Sequence, residues 1–163
     1  MIEIPAVGTG SSSREWERVY VDCFPAVFRA LIAIGARSEE AEDAMHDAFE
    51  KALAMSAERV RDPAGWLFVV ASRKWRQRRI RERILAPLAA LRRSTPAPDS
   101  DRIALFDEVA KLPLRERQML AARFVLGLSQ EETAALFGVD RGTVSAATSK
   151  AANKLRKRLG ESS

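Results

Sequence analysis

Arg73, Lys74, Arg76, Arg78, Arg79, Arg81 and Arg83 crowd one short stretch of this sequence against a single acid, Glu82. Side chains of this kind break no bonds; they neutralise phosphates and hold a nucleic-acid backbone. A second basic set, Arg141, Lys150, Lys154, Arg156, Lys157 and Arg158, contains no acid between its ends. A third set has the opposite sign: Glu39, Glu40, Glu42, Asp43, Asp47 and Glu50 lie between Ser38 and Glu50 with no lysine or arginine among them. Catalytic chemistry has little to work with. The one histidine, His46, and the one cysteine, Cys23, are isolated, and no nucleophile–base set, metal-ligand cluster or glycine-rich phosphate loop is present. The expectation is a binding protein with no cofactor and no metal, not an enzyme.

The elements that must position these groups read as helices. Of 163 residues, 47% are hydrophobic, enough for a real core, and the formal charge is +5. Alanine, leucine, arginine and glutamate abound and period-two alternation is scarce, which favours helix. A single cysteine fits a reducing cytoplasm, and no run approaches the roughly 20 apolar residues of a membrane span. Residues 1–13 read as a flexible leader. A helix is expected from Arg14 to about Ala36, broken or bent by Pro25 near Cys23 and Phe24 and stopped at Gly35. Ser38 is the expected cap of a second helix, whose Ala41, Met45, Ala48, Phe49, Ala52 and Leu53 form one apolar stripe opposite the acids.

"RDPAG" starts a third helix, with Asp62 as N-cap and Pro63 in the first turn. Its stripe of Leu67, Val70, Ala71 and Trp75 fades as the arginines begin, near the expected end at Arg83. "ILAPLAALRR" is apolar and interrupted by Pro87. "STPAPDSD", residues 94–101, has two prolines and no apolar face and reads as a linker. The fold class is therefore all-α: an N-terminal helical domain over 14–93, a linker over 94–101 and a C-terminal domain over 102–163.

In that last domain "IALFDEVAKLP" and "LRERQMLAARFVLG" make two helices, ended by Pro113 and Gly127. Ser129 and Glu132 form a capping box that starts the next helix, and Gly138 ends it. Asp140 can cap the last helix, which carries Val144, Ala147, Ala151, Leu155 and Leu159 along one face. Small Ala134, the turn glycine and apolar Val144 fit a helix-turn-helix, and the one-signed charge that follows fits a DNA backbone.

The N-terminal domain is electrically polarised. Eleven basic residues face three acids between Glu58 and Arg93, beside the all-acidic run at 38–50. The two helices could simply pair, but surface pairs are worth only about 0–1 kcal/mol each. Two partners account better for such lopsided runs: a basic protein surface for the acids and nucleic acid for the bases. Trp66 and Trp75 could stack on unpaired bases or pack in the core.

"AEDAMHDAFEKAL" (Ala41–Leu53), "DPAGWLFVVASRKW" (Asp62–Trp75) and "LPLRERQMLAARFVLGLSQEETAALFGVDRGTV" (Leu112–Val144), in that order, resemble a bacterial RNA polymerase sigma factor. The short two-domain plan is similar to the extracytoplasmic-function group of the sigma-70 family, and the resemblance runs from about Trp16 to Leu159. It implies that the acidic helix docks on the clamp helices of the β′ subunit of core RNA polymerase, through Glu42, Asp43, Asp47, Phe49 and Glu50. It implies that Arg59 and Arg61 in the loop Glu58–Asp62, with Arg73, Lys74, Arg76 and Gln77, melt the promoter and capture the minus-ten element. The minus-thirty-five element would be read by Arg141, Thr143, Ser145 and Lys150. It leaves open whether an anti-sigma factor exists.

Two departures from the family pattern bear on this. Small residues, Ser145 to Ser149, follow "GTV" where basic ones are expected, so bidentate guanine reading falls to Arg141 or Lys150. Arg73 stands where relatives have a small polar amide. The apolar Ile84–Leu91 segment either extends the first domain's core or docks the two domains together. The competing reading is a free-standing helix-turn-helix regulator with an N-terminal sensing or dimerising domain, for which the basic run in the first half has no use.

Overall fold

The computed structural model describes residues 10–85, 105 and 107–161, all helix, turn or short connection, with no strand among them. Three helices build the first half: α1 (Gly10–Ala33), α2 (Ser38–Leu53) and α3 (Pro63–Leu85), with a single 3-10 turn over Ala57–Arg59. Three more build the second: α4 (Leu114–Phe124), α5 (Gln130–Phe137) and α6 (Arg141–Glu161), preceded by a helical turn over 107–110.

Local chemistry explains most boundaries. Gly35 takes φ +113 and lets the Ala36 N–H return to the Leu31 carbonyl at 3.0 Å, closing α1. Asp62 Oδ1 accepts from the Gly65 N–H at 3.1 Å and Pro63 opens α3, as the sequence predicts. At α5 the capping box is complete: the Glu132 N–H donates to Ser129 Oγ at 3.0 Å and the Ser129 N–H donates to Glu132 Oε2 at 2.7 Å. Gly138 adopts φ +63 and ends that helix in the left-handed region, which a glycine enters without strain.

Four expectations are corrected. Helix α1 starts at Gly10, inside the stretch read as a leader, and it runs unbroken through Pro25. The carbonyl that Pro25 deprives of a donor belongs to Val21, which is 70% exposed and can be served by water, while Trp16, Val27, Ala30 and Leu31 bury the flanks of the helix. Arg37, not Ser38, occupies the N-cap of α2, and its N–H is taken by Glu40 Oε2 at 3.0 Å. The fourth helix ends at Phe124, and the chain reaches the left-handed Gly127 (φ +71) through the turn at Val125 and Leu126. The linker and most of the Ile84–Leu91 segment lie outside the described residues.

The core of the first half joins Trp16 and Leu31 of α1, Ile34 in the turn after it, Met45 and Ala48 of α2, and Leu67, Phe68 and Ala71 of α3, all fully buried. Each large side chain buried there contributes roughly 1.5–3 kcal/mol. Trp16 Nε1 also donates to the Met55 carbonyl at 2.8 Å, tying α1 to the connection after α2. A smaller cluster of Met119, Ala134 and Val144 holds the helix-turn-helix, with Val144 fully buried as the lock between α5 and α6.

The two halves are not independent. Ala121, Ala122 and Leu128 belong to the core cluster of the first half. Gln118 Nε2 donates to the buried Ser72 Oγ at 3.0 Å, and Arg117 Nη1 donates to the Ile34 carbonyl at 2.5 Å. Gly65 permits this approach: a Cβ there would strike the Asp62 carboxylate and lie 3.1 Å from Leu136 Cδ2 of α5.

Candidate polymerase and nucleic-acid interfaces

Helix α2 turns its alanines and Met45 inward, which puts its acids outward. Glu42, Asp43 and Glu50 are exposed and Asp47 half-buried. Phe49 is also half-buried, its ring 4.4 Å from Tyr20 at 40°, so it supports the acidic face from behind. Arg78 of α3 reaches this face and binds both Asp43 (3.1 Å) and Asp47 (2.6 Å). Glu40 is held between the Arg37 N–H and the Trp75 indole N–H, each at 3.0 Å. Helix-to-helix pairing therefore exists, but it uses one arginine and leaves Glu42 and Glu50 in no ion pair among the described residues.

The basic face of α3 begins where its stripe ends. Leu67, Ala71 and Trp75 are at most 3% exposed, whereas Arg73, Arg76 and Gln77 are exposed and Lys74 is half-buried. Arg73, Lys74, Arg76, Arg81 and Arg83 make no ion pair among the described residues, so their charge is available to phosphate. Arg59 and Arg61 are exposed on the connection between α2 and α3. They line a mainly apolar cavity of about 560 Å³ with Trp66 and, from α5, Glu131 and Leu136. Trp75 cannot stack on a base: it is 3% exposed, hydrogen-bonded to Glu40 and covered by the Arg79 guanidinium at 5.3 Å. Trp66 packs against Trp16 at 5.6 Å but keeps an edge on the cavity.

On the helix-turn-helix, Arg141, Thr143 and Lys150 are exposed and Ser145 half-buried, near the start of α6. Arg141 is engaged from α5, by Glu131 at 3.2 Å and by Gln130 Oε1 at 3.1 Å. Thr148 is buried and donates back to the Val144 carbonyl at 2.8 Å, which removes it from the reading surface. Lys154 and Arg158 turn inward, to Glu116 at 3.4 Å and Glu108 at 3.5 Å. The hydrogen bond from Lys111 to Glu108, assisted by both neighbouring cations, holds that carboxyl below its ordinary pKa.

His46 is exposed, and no group of histidine, cysteine or carboxylate side chains fit for a metal ion occurs among the described residues. Burial, then the charges of Asp22 and Asp62, push the Cys23 thiol up, so it is no ready nucleophile. No helix among the described residues is long and apolar enough to cross a membrane. The sequence reading missed Ser72, Arg78, Arg117 and Gln118, whose roles rest on partners 31 to 83 residues away.

Residues 109–157 match the family model "Sigma-70, region 4". The whole fold is similar to that of the sigma factor RpoE in its complex with the anti-sigma factor NepR from Bartonella quintana. That similarity has a TM-score of 0.72 and 22% identity, over 90% of this chain and 98% of that one. It is also similar to CnrH, solved in complex with the cytosolic domain of CnrY, with a TM-score of 0.66 and 23% identity over 92% and 90% of the two chains. A search of curated proteins finds no match to this sequence. Residues 109–157 thus correspond to a sigma-70 region 4, and the fold that carries them is similar to that of these two solved chains.

Proposed function

We propose that the chain is an extracytoplasmic-function sigma factor, working in the cytoplasm as the promoter-specificity subunit of core RNA polymerase. The observation that carries this reading is a region 4 helix-turn-helix joined to a helical unit whose adjacent helices present acids on one and free arginines on the other. Exposed carboxylates of α2 suit a basic helical surface, which is the character expected of the β′ clamp helices; Glu42, Asp43, Asp47 and Glu50 make that contact, with Phe49 behind them. The loop residues Arg59 and Arg61, with Arg73, Lys74, Arg76 and Gln77, receive the melted minus-ten strand. Phosphate neutralisation there supplies most of the affinity, and it weakens with salt.

Arg141, Thr143, Ser145 and Lys150 approach the minus-thirty-five element in the major groove. With small side chains between them, this contact rests on one or two bidentate readings plus backbone contacts. An anti-sigma factor belongs to the same proposal, since RpoE of Bartonella quintana was solved bound to one. Co-migration of the purified chain with core RNA polymerase on gel filtration at moderate salt tests the reading. A stable complex is expected. Free chain together with tight, specific binding to duplex DNA would overturn it in favour of a free-standing regulator.

A further inference from the structure

A cleft of about 350 Å³ lies between the C-terminal half of α3 and the start of α4. Its walls carry four guanidinium groups, Arg76, Arg79, Arg83 and Arg117, beside Trp75, and no carboxylate. Only Arg76 belongs also to the minus-ten set. Arg76 and Arg83 stand exposed at the rim, while Arg79 and Arg117 are half-buried. None of the four is in an ion pair among the described residues.

Their protein partners leave most of their hydrogen-bonding capacity unused. Arg79 lies over the Trp75 ring at 5.3 Å. Arg117 gives Nη1 to the Ile34 carbonyl at 2.5 Å, but its Nε is buried with no hydrogen-bond partner. Burial, and after it the positive charge of Arg79, press the Arg117 pKa downward. Like charges gathered at a partly desolvated cleft repel one another, and a buried unpaired cation is costly. Such a cluster is stabilised by an anion. The planar guanidinium fork matches the oxygens of a phosphate, two donors to two acceptors. The closed face of Trp75 offers nothing to a base, so recognition rests on the phosphate group.

We infer that this cleft binds a small multivalent oxyanion of the phosphate or pyrophosphate class, held by Arg76, Arg79 and Arg83 from α3 and by Arg117 from α4. Three of these ligands lie on the N-terminal half and one on the C-terminal half. The bound anion therefore staples the two halves together, and its concentration sets how firmly they dock. This inference does not depend on the polymerase reading: a chain that fails to bind polymerase would still be tested by it.

Isothermal titration calorimetry of the full chain with inorganic pyrophosphate, without magnesium and at a fixed ionic strength of about 0.15 M, is the test. Saturable binding at a single site is expected. Arg79→Gln and Arg117→Gln should each weaken it roughly tenfold or more, the scale of one lost charge-assisted hydrogen-bonding partner. Arg81→Gln, on the same helix but outside the cleft, should change it less than about twofold. Pyrophosphate should raise the melting temperature of the wild-type chain and not that of Arg117→Gln. A parallel titration with ADP separates sources: equal affinity identifies the diphosphate alone, and tighter binding identifies a nucleotide; either upholds the site.

Absence of saturable heat overturns the inference. So does equal weakening by Arg81→Gln, which would reveal a diffuse basic surface. Circular dichroism checks that each variant is folded. No hydrogen bond ties the Arg79 side chain to a backbone carbonyl, as one does Arg117, so Arg79→Gln carries the test should Arg117→Gln fail to fold.

Discussion

Helices α3 and α6 both carry acid-poor basic runs, and they spend their charge differently. Of the seven cations between Arg73 and Arg83 only Arg78 enters an ion pair among the described residues, with Asp43 and Asp47. Of the six between Arg141 and Arg158, three are engaged by acids of their own half: Arg141 by Glu131, Lys154 by Glu116 and Arg158 by Glu108. Equal-looking runs in a sequence thus become unequal fields in the fold. Helix α3 leaves six of its seven cations out of ion pairs among the described residues, whereas α6 leaves Lys150, Arg156 and Lys157 and ties the rest down. The lesson is that a charge count predicts a nucleic-acid surface only after the intramolecular acids have taken their share.

The strongest way to break the comparison is to reverse the acidic face that claims Arg78. Asp43→Lys with Asp47→Lys should abolish co-migration with core polymerase while circular dichroism shows the helices intact. The ion pairs lost are partly exposed and worth only about 0–1 kcal/mol each, so survival of the complex would mean that the docking face lies elsewhere. Next, alanine at Arg73, Lys74 and Arg76 should spare polymerase binding and sharply reduce promoter opening, read by permanganate footprinting. The salt slope for single-stranded DNA should fall by about 2, at roughly 0.7 per phosphate contact. An unchanged footprint would show that the free charge of α3 is not used for melting.

Smaller effects sharpen the same contrast. Ser129→Ala removes the cap that aims α5 and should cost about 1 kcal/mol in urea unfolding, whereas Ser38→Ala should cost almost nothing, because Arg37 occupies that N-cap. Gln118→Ala breaks the buried bond to Ser72 and should cost about 1 kcal/mol; no loss would indicate that the two halves dock without it. Smallest of all, Glu131→Gln releases Arg141 and should strengthen minus-thirty-five binding by a few-fold at most, the scale of one exposed pair. Gel shifts at two salt concentrations would measure it.

How much was legible in advance follows from the range of the forces involved. The capping box at Ser129 and Glu132, the start at Asp62 and Pro63, and the stops at Gly35 and Gly138 are interactions within three to five residues, and all appear in the fold. Pro25 does not break its helix, because a proline signal is local, while the helix around it is held by Trp16, Val27 and Leu31 packing on distant partners. For Trp75 the sequence left base stacking and core packing both open, and only Glu40, 35 residues away, shows the indole to be occupied. Arg78 and Arg79 are adjacent and chemically identical in the sequence. In the fold one grips two aspartates, and the other shares a cleft with Arg76 and Arg83 of its own helix and Arg117 of α4.

Legible in the order of residues alone were the helical class, the order of the helices, the caps at Asp62 and Ser129, the apolar stripes and the helix-turn-helix, because periodicity and short-range hydrogen bonds are written within a few residues. Tertiary structure alone decided which charges remain free, that α4 docks on α1 and α3 through Arg117 and Gln118, and that four arginines meet at one cleft. Those outcomes depend on groups 31 to 83 residues apart in the chain. Coulomb and hydrogen-bond energies depend on distance in space, and helical periodicity records only the face on which a residue lies, not the partner that face will meet.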